Sequence, residues 1–443
     1  MKEIKIGMVS LGCSKNRVDS ELMLGALKKK NYVFTADPAQ ADAIIINTCG
    51  FIQSAKQESI DTILEMAEFK KTGNLKALIV CGCLSGRYQK ELSRQLPEVD
   101  AFLGVTAYDK IAQAVEQALQ GLHFESYDAP KVEGDYKSRV LTTPSHYAYL
   151  KIAEGCNNRC AYCAIPYIRG DLKSRPIEEI LQEAEVLLQK GVRELILVAQ
   201  DTSKYGVDLA GKSMLCQLID ALAPLPGLKW LRLLYCYPDG ITDELLDTMS
   251  KYGNIARYLD IPIQHLADPV LRRMNRKNTH RSTYEAVERI RKRYPDFILR
   301  TTLIAGFPGE TQEDFEILKR GVEELQFDRL GVFAYSREDG TPAARLPGQI
   351  PEQVKQARTR ELMLLQQGIS LRANKKRIGQ RLEVLVEEYL PEEKVYLARS
   401  YGEAPEIDGG IILRSEQPLE CGSFYTAAIE DANEYELIGG IAK

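Results

Sequence analysis

The 443-residue sequence predicts an α/β protein of three units: an N-terminal α/β sheet domain, a central partial (β/α)6 barrel and a small C-terminal antiparallel β-barrel of OB-like kind. Three observations lead there. Strand-like and helix-like stretches alternate over roughly the first 125 residues, the pattern of a mostly parallel sheet with helices on its faces. Six further strand candidates separated by amphipathic stretches lie between residues 147 and 336, two short of a closed eightfold barrel. After Gly379 the pattern changes to short alternating strands with Gly and Pro turns. A prior of roughly 150 residues per domain also gives about three units. The boundaries that follow are 1–125, a linker at 126–144, 145–376 and 377–443.

Taken in order, the N-terminal apolar runs are 4–11, 43–47, 77–80 and 101–105, with helix-like stretches such as 19–30 and 54–70 between them. A cysteine follows each of the first three runs: Cys13 in Leu-Gly-Cys, Cys49 in Asn-Thr-Cys and Cys83 in Cys-Gly-Cys-Leu. Loops beyond the carboxyl ends of parallel strands converge on one edge, so three cysteines distant in sequence can meet there. The segment 126–144 is polar and aperiodic and reads as a linker. The barrel strands are expected at 147–153, 194–199, 230–236, 258–263, 299–305 and 329–335. Ile180, Leu181, Ala184, Leu187 and Leu188 show the offsets of one helical face between the first two. A long basic helix is expected over 351–378, followed by strands at 382–386, 395–398, 410–413 and 424–429.

Composition narrows the setting. No run of 18 apolar residues occurs, and the first residues pass straight into a strand pattern without a charged-then-apolar leader, so a cytoplasmic protein without a membrane span is expected. Ten cysteines, several in ligand-like clusters, fit reduced thiols better than a disulfide scaffold. The net charge of −4 is unevenly spread: residues 378–443 carry 14 Asp and Glu against 5 Lys and Arg, leaving a net of +5 for the rest. Nothing exposed and apolar demands a partner copy, so a monomer is expected.

The densest chemistry lies in Gly-Cys-Asn-Asn-Arg-Cys-Ala-Tyr-Cys, residues 155–163, directly after the first barrel strand. Cys156, Cys160 and Cys163 are spaced so that one short loop can wrap three thiolates around a 4Fe-4S cube, leaving its fourth iron without a protein ligand. Zinc is the rival, but it favours four N or S ligands, and no fourth cysteine or histidine lies nearby. Unliganded thiols are the remaining alternative. The spacing, with Tyr162 before the last cysteine, resembles the radical S-adenosylmethionine (SAM) enzymes. The resemblance implies that the open iron chelates SAM, and that one electron then splits the sulfonium to a 5'-deoxyadenosyl radical.

Taken with this loop, Cys13, Cys49 and Cys83 resemble the N-terminal domain of the methylthiotransferases within that superfamily. There, three such cysteines hold a second 4Fe-4S cluster, so one cluster makes the radical and the other presents sulfur. The bland reading is small buried thiols of a sheet, but all three follow strands in Gly-Cys, Thr-Cys-Gly and Gly-Cys-Leu contexts that permit turns around a cluster; Cys81 competes for the third position, where Cys83 matches the family's Gly-Cys. Gln200 and Asp201 stand where many radical SAM enzymes carry Gly-Gly-Glu to hold the SAM amino group; a helix cap at Asp201 or Thr202 is the other reading. Arg300 suits the SAM carboxylate by guanidinium geometry, or forms a structural ion pair. Cys216, Cys236, Cys421 and the four scattered histidines lack partners at ligand spacing.

The C-terminal barrel resembles the TRAM domain, a module associated with RNA. Its acidity argues otherwise, because gripping phosphates requires positive charge, and an acidic surface fits a basic protein. Of the two branches of the methylthiotransferases, one acting on transfer RNA and one on a ribosomal protein, three stretches resemble the second: 10–16 with Asp19-Ser20-Glu21, 151–156 and 260–265. The resemblance implies methylthiolation at the β-carbon of an aspartate in small-subunit ribosomal protein twelve. It also implies SAM as both methyl donor and radical source, and an electron donor such as a flavodoxin-type protein.

Overall fold

A computed structural model describes residues 3–442 of the chain. The N-terminal sheet has six parallel strands: β1 (Lys5–Ser10), β2 (Val33–Phe34), β3 (Ala43–Thr48), β4 (Ala77–Gly82), β5 (Ala101–Leu103) and β6 (Phe124–Ser126), in the order β2-β1-β3-β4-β5-β6. β3 and β4 are buried at every residue, because helices cover both faces of the sheet centre; hence their unbroken apolar runs. The sequence pattern foresees the four inner strands. β2 and β6 are edge strands of two and three residues, too short to show a period.

The central domain holds β7 (Tyr147–Lys151), β8 (Ala153–Glu154), β9 (Lys173–Ser174), β10 (Glu194–Val198), β11 (Trp230–Leu233), β12 (Tyr258–Asp260), β13 (Ile298–Ala305) and β14 (Arg329–Ala334). All six expected barrel strands form. They fall into two parallel triplets, β11-β10-β7 and β12-β13-β14, joined by a lone bridge between Leu231 and Ile255. One apolar layer fills the space between strands and outer helices, and a second lines the lumen with Tyr147, Tyr149, Ile196, Val198 and Tyr258. Along β13, Leu299, Thr301, Leu303 and Ala305 are buried while Arg300, Thr302 and Ile304 alternate toward the more open lumen.

The helix Glu352–Lys375 leads from the barrel into a closed five-stranded barrel: β15 (Arg381–Leu390), β16 (Val395–Arg399), β17 (Ile411–Arg414), β18 (Phe424–Ala432) and β19 (Leu437–Ile441). β19, with Gly439 and Gly440 in its middle, escapes the sequence reading and closes the barrel by pairing parallel to β17. The small barrel docks on the base of the large one through buried charge. Glu194 of β10 accepts from Arg232 (2.7 Å) and Arg399 (2.8 Å), and Glu403 from Arg377 (2.7 Å).

The polar stretch expected as a linker is firmly anchored. Arg139 is wholly buried, pairs with Glu21 of the first helix and Glu183 of the barrel, and donates to the Tyr149 carbonyl at 2.7 Å. The N-terminal domain therefore sits rigidly on the barrel. Lys56 and Arg87 add a second attachment, both 2.8 Å from Glu338 just beyond β14.

Candidate functional site

Both cysteine trios lie at the carboxyl ends of parallel strands, and the docking turns those two edges toward each other. Cys13 is the cap residue preceding the helix Ser14–Lys28, Cys49 directly follows β3, and Cys83 opens the helix Cys83–Tyr88 at the end of β4. Gly12 adopts φ +89°, and a Cβ there would approach the Cys49 Cβ at 2.9 Å, so only glycine lets these loops close together. Asn16 ties the trio: its amide donates to the Leu11 and Thr48 carbonyls at 3.0 and 2.9 Å, and its Oδ1 lies 3.6 Å from the Cys83 sulfur. Cys81 points the other way, into the core, 3.7 Å from the Met23 sulfur. The fold thus brings Cys83, not Cys81, to the edge with Cys13 and Cys49.

The barrel trio is shaped by a short hairpin. β8 pairs antiparallel with β9 and clamps the base of the loop that carries Cys156, Cys160 and Cys163. Gly155 at φ +76° enters that loop; a Cβ would collide with the Asp171 carbonyl at 2.1 Å. Past the loop, Ala164 and Ile168 bury themselves against Cys83 and Val105, a direct apolar seam between the two trios.

A buried polar network spans the same seam. Arg169, 2% exposed, donates both ways to Glu154 (2.9 Å each), to Asp19 (3.0 Å) and to Asn16. Lys151 joins Asp19 and Glu154, the latter at 2.9 Å. Glu154 immediately precedes the cysteine loop, and Asp19 and Asn16 belong to the N-terminal helix, so one guanidinium holds both cysteine sites. Residue spacing gives no sign of this, since the partners are 150 residues apart.

Electrostatics sets Cys13 apart from the other thiols, since burial raises Cys49 as well. Burial pushes the Cys13 thiol up, but the Lys15 and Arg169 cations and the backbone N–H groups of Asn16 and Lys15 outweigh it and bring it below its ordinary value. Burial raises Cys83 to about 12, with Arg169 opposing. At the barrel trio, burial raises Cys156 to about 11, with the Asp201 carboxylate adding to the effect.

The remaining expected residues divide. Gln200 donates its amide to Glu154 at 2.8 Å, leaving its Oε1 buried with no partner. Asp201 caps the turn Thr202–Lys204, accepting from Ser203 N at 3.1 Å, and its second oxygen accepts from Asn158 of the cysteine loop at 2.7 Å. Its acceptors are thus engaged in holding the loop, the capping alternative. Tyr162 packs edge-on against Phe307, ring centroids 6.4 Å apart.

Arg300 takes the geometry of the ion-pair alternative. It sits early in β13, where its guanidinium pairs with Asp260 at 2.9 Å and approaches Asp408 of the C-terminal barrel at 3.6 Å, a structural ion pair. The guanidinium that does stand beside the cysteine loop is Arg276, missed in the sequence because it follows a helix and no strand end. It lies 4.0 Å over the ring of Tyr237, whose hydroxyl contacts the Cys160 sulfur; its Nη1 finds no acceptor in good geometry, though the Tyr162 phenol is adjacent.

These residues fit SAM and iron-sulfur clusters. An unpartnered acceptor on Gln200 and an unpartnered donor on Arg276 flank the loop, as an amino acid's ammonium and carboxylate require.

The fold and site define a class: a radical SAM barrel with a second cysteine-bearing α/β domain and a C-terminal TRAM barrel. Residues 150–320 match the radical SAM superfamily, 5–104 the Uncharacterized protein family UPF0004, and 378–441 the TRAM domain. The chain is 50% identical to the ribosomal protein uS12 methylthiotransferase RimO of Desulforamulus reducens over 441 residues, 99% of each chain. It is also 50% identical to that of Clostridioides difficile over 440 residues, again 99% of each. Among solved structures it resembles the radical SAM methyltransferase TsrM of Kitasatospora setae, at 12% identity and TM-score 0.54, over 95% of this chain and 84% of that one. That likeness concerns fold. The chain belongs to the RimO family of radical SAM methylthiotransferases, enzymes that use SAM and 4Fe-4S clusters.

Proposed function

We propose that this protein attaches a methylthio group to the β-carbon of an aspartate in ribosomal protein uS12. The observation that carries the reading is the pair of cysteine trios facing one another across a single buried seam, in a chain matched end to end by relatives named for that reaction. In this reading Cys156, Cys160 and Cys163 hold the SAM-binding cluster, and Cys13, Cys49 and Cys83 hold the second. When bound, SAM and the two clusters supply a hydrogen-abstracting radical and a transferable sulfur.

The protein's own groups position these parts. Gln200 Oε1 accepts from the SAM ammonium, and Arg276 Nη1 donates to its carboxylate, the role first expected of Arg300. Asp201 acts indirectly by fixing Asn158 and with it the cysteine loop. Tyr162 packs beside them against Phe307. The N-terminal domain closes over the strand ends and keeps water from the radical.

The substrate meets an acidic barrel. Glu392, Glu393, Glu416 and Glu420 are exposed on the C-terminal domain, and ribosomal proteins are basic, so charge guides their approach. A ribosomal substrate places the protein in the cytoplasm, acting as a monomer with a flavodoxin-type protein as electron donor. No helix among the described residues is long and apolar enough to cross a membrane.

Mass spectrometry of uS12 and of transfer-RNA nucleosides from a strain lacking the gene is the test. Loss of a 46-Da addition, the mass of a methylthio group in place of hydrogen, on the uS12 aspartate is expected, about the whole signal on the premise that one buried site performs the chemistry. An unchanged aspartate with a missing nucleoside modification would assign the chain to the transfer-RNA reaction instead.

A further inference from the structure

We propose that Lys15 receives the side-chain carboxylate of the substrate aspartate and thereby selects the residue that is modified. The inference rests on the uS12 reading and goes beyond it to the specificity of the same site.

Lys15 lies two residues after Cys13, on the first turn of the N-terminal helix, and is 8% exposed. Its Nζ sits 3.6 Å from the centre of the Tyr235 ring and 3.5 Å from the Ala199 carbonyl, the residue before Gln200. It forms no ion pair among the described residues. A buried ammonium without a carboxylate is costly, and proteins seldom leave one so without use.

The other buried cations of the seam are engaged. Lys151 is held by Asp19 and Glu154, and Arg169 by Glu154, Asp19 and Asn16. Among the described residues Lys15 has one long hydrogen bond and a ring, and it faces the Cys13 thiol, but no carboxylate lies within ion-pair distance of it. Its place, between the Cys13 trio and the end of β10, is where a reacting side chain must reach both sulfur and radical. An aspartate carboxylate is one bond from the β-carbon, so anchoring it fixes the reacting carbon. A nucleobase brings no anion to that position, which makes the lysine a selector for a carboxylate substrate over an adenosine.

The test uses the full-length reconstituted enzyme as wild type, Lys15→Met and Lys15→Arg, with recombinant uS12 carrying either its target aspartate or asparagine there. Binding is followed by fluorescence anisotropy, methylthiolation by mass spectrometry and cluster loading by iron content. Wild type should prefer aspartate by about 100-fold in kcat/KM, since a site built around a charged partner rejects the analogue that lacks it. Lys15→Met should erase that preference, chiefly by lowering turnover on the aspartate protein, and Lys15→Arg should restore part of it. An intact preference in Lys15→Met overturns the proposal; so does loss of iron from that variant, which would make the lysine a support of the second cluster. Wild type that modifies neither uS12 protein contradicts the underlying reading instead.

Discussion

The two cysteine trios are built by different means and set in different fields. Cys156, Cys160 and Cys163 occupy eight consecutive positions of one loop, pinned at its base by a two-strand hairpin. Cys13, Cys49 and Cys83 span 71 residues and meet only because three parallel strands end at one edge. The first trio has the Asp201 carboxylate and the phenols of Tyr162 and Tyr237 around it; the second has the Lys15 and Arg169 cations. A cationic setting favours the more negative state of whatever the sulfurs hold, which suits a site that presents anionic sulfur. The contrast is one of construction and of cations: Arg276 stands beside the loop trio, whereas Lys15 and Arg169 flank the trio gathered from three strands.

The largest expected effect separates the trios outright. Cys156→Ala should abolish reductive SAM cleavage, whereas Cys49→Ala should retain part of it and yield no methylthiolated product, both followed by chromatography of 5'-deoxyadenosine. Equal loss of cleavage in the two variants would contradict the division of labour.

Next comes the residue that joins them. Arg169→Met leaves Glu154 and Asp19 buried with Lys151 as their one ion-paired cation among the described residues, and breaking such an array should cost about 3 kcal/mol of stability in urea unfolding. Its effect should fall on both trios together, unlike either cysteine change.

The SAM side is sharpened by Gln200→Leu. Removing the unpartnered acceptor should weaken SAM binding about 10-fold by equilibrium dialysis, the scale of one hydrogen bond to a charged group. Arg300→Met should instead lower the melting temperature and leave SAM affinity in place.

Acid provides a gentler probe of the same seam. Burial raises Glu154, but Arg169 and Lys151 outweigh it and hold the carboxyl down at about 2; Arg377 and Arg329 do the same for Glu403 beneath the C-terminal barrel. Because these folded values lie below the ordinary carboxyl range, their stabilisation is present above that range and is lost as pH falls toward 2. The urea midpoint should therefore drop between pH 5 and pH 3, and Glu403→Gln should flatten that dependence.

Much of this was legible in one dimension. Apolar runs of β3 and β4, six βα repeats and the turn-rich tail reveal the three units, because strands buried on both faces and amphipathic helices leave periods that short-range reading detects. The edge strands β2 and β6 and the glycine-bearing β19 leave none. At the site, the loop cysteines stand out by spacing and Gln200 by its place after a strand, whereas the pairing of Arg300 with Asp260 is hidden because a strand position does not reveal which partner a lumen-facing guanidinium meets.

By itself, then, the sequence determined the fold class, the family resemblance and the tight spacing of Cys156, Cys160 and Cys163, since each depends on local pattern or on residues close in the chain. The tertiary structure alone decided that Cys81 turns into the core against Met23, that Arg169 bridges the two sites, that Arg276 stands beside the loop and that Lys15 is left without a carboxylate. Those are matters of which side chains meet across a domain interface, and burial there makes every unpaired charge count.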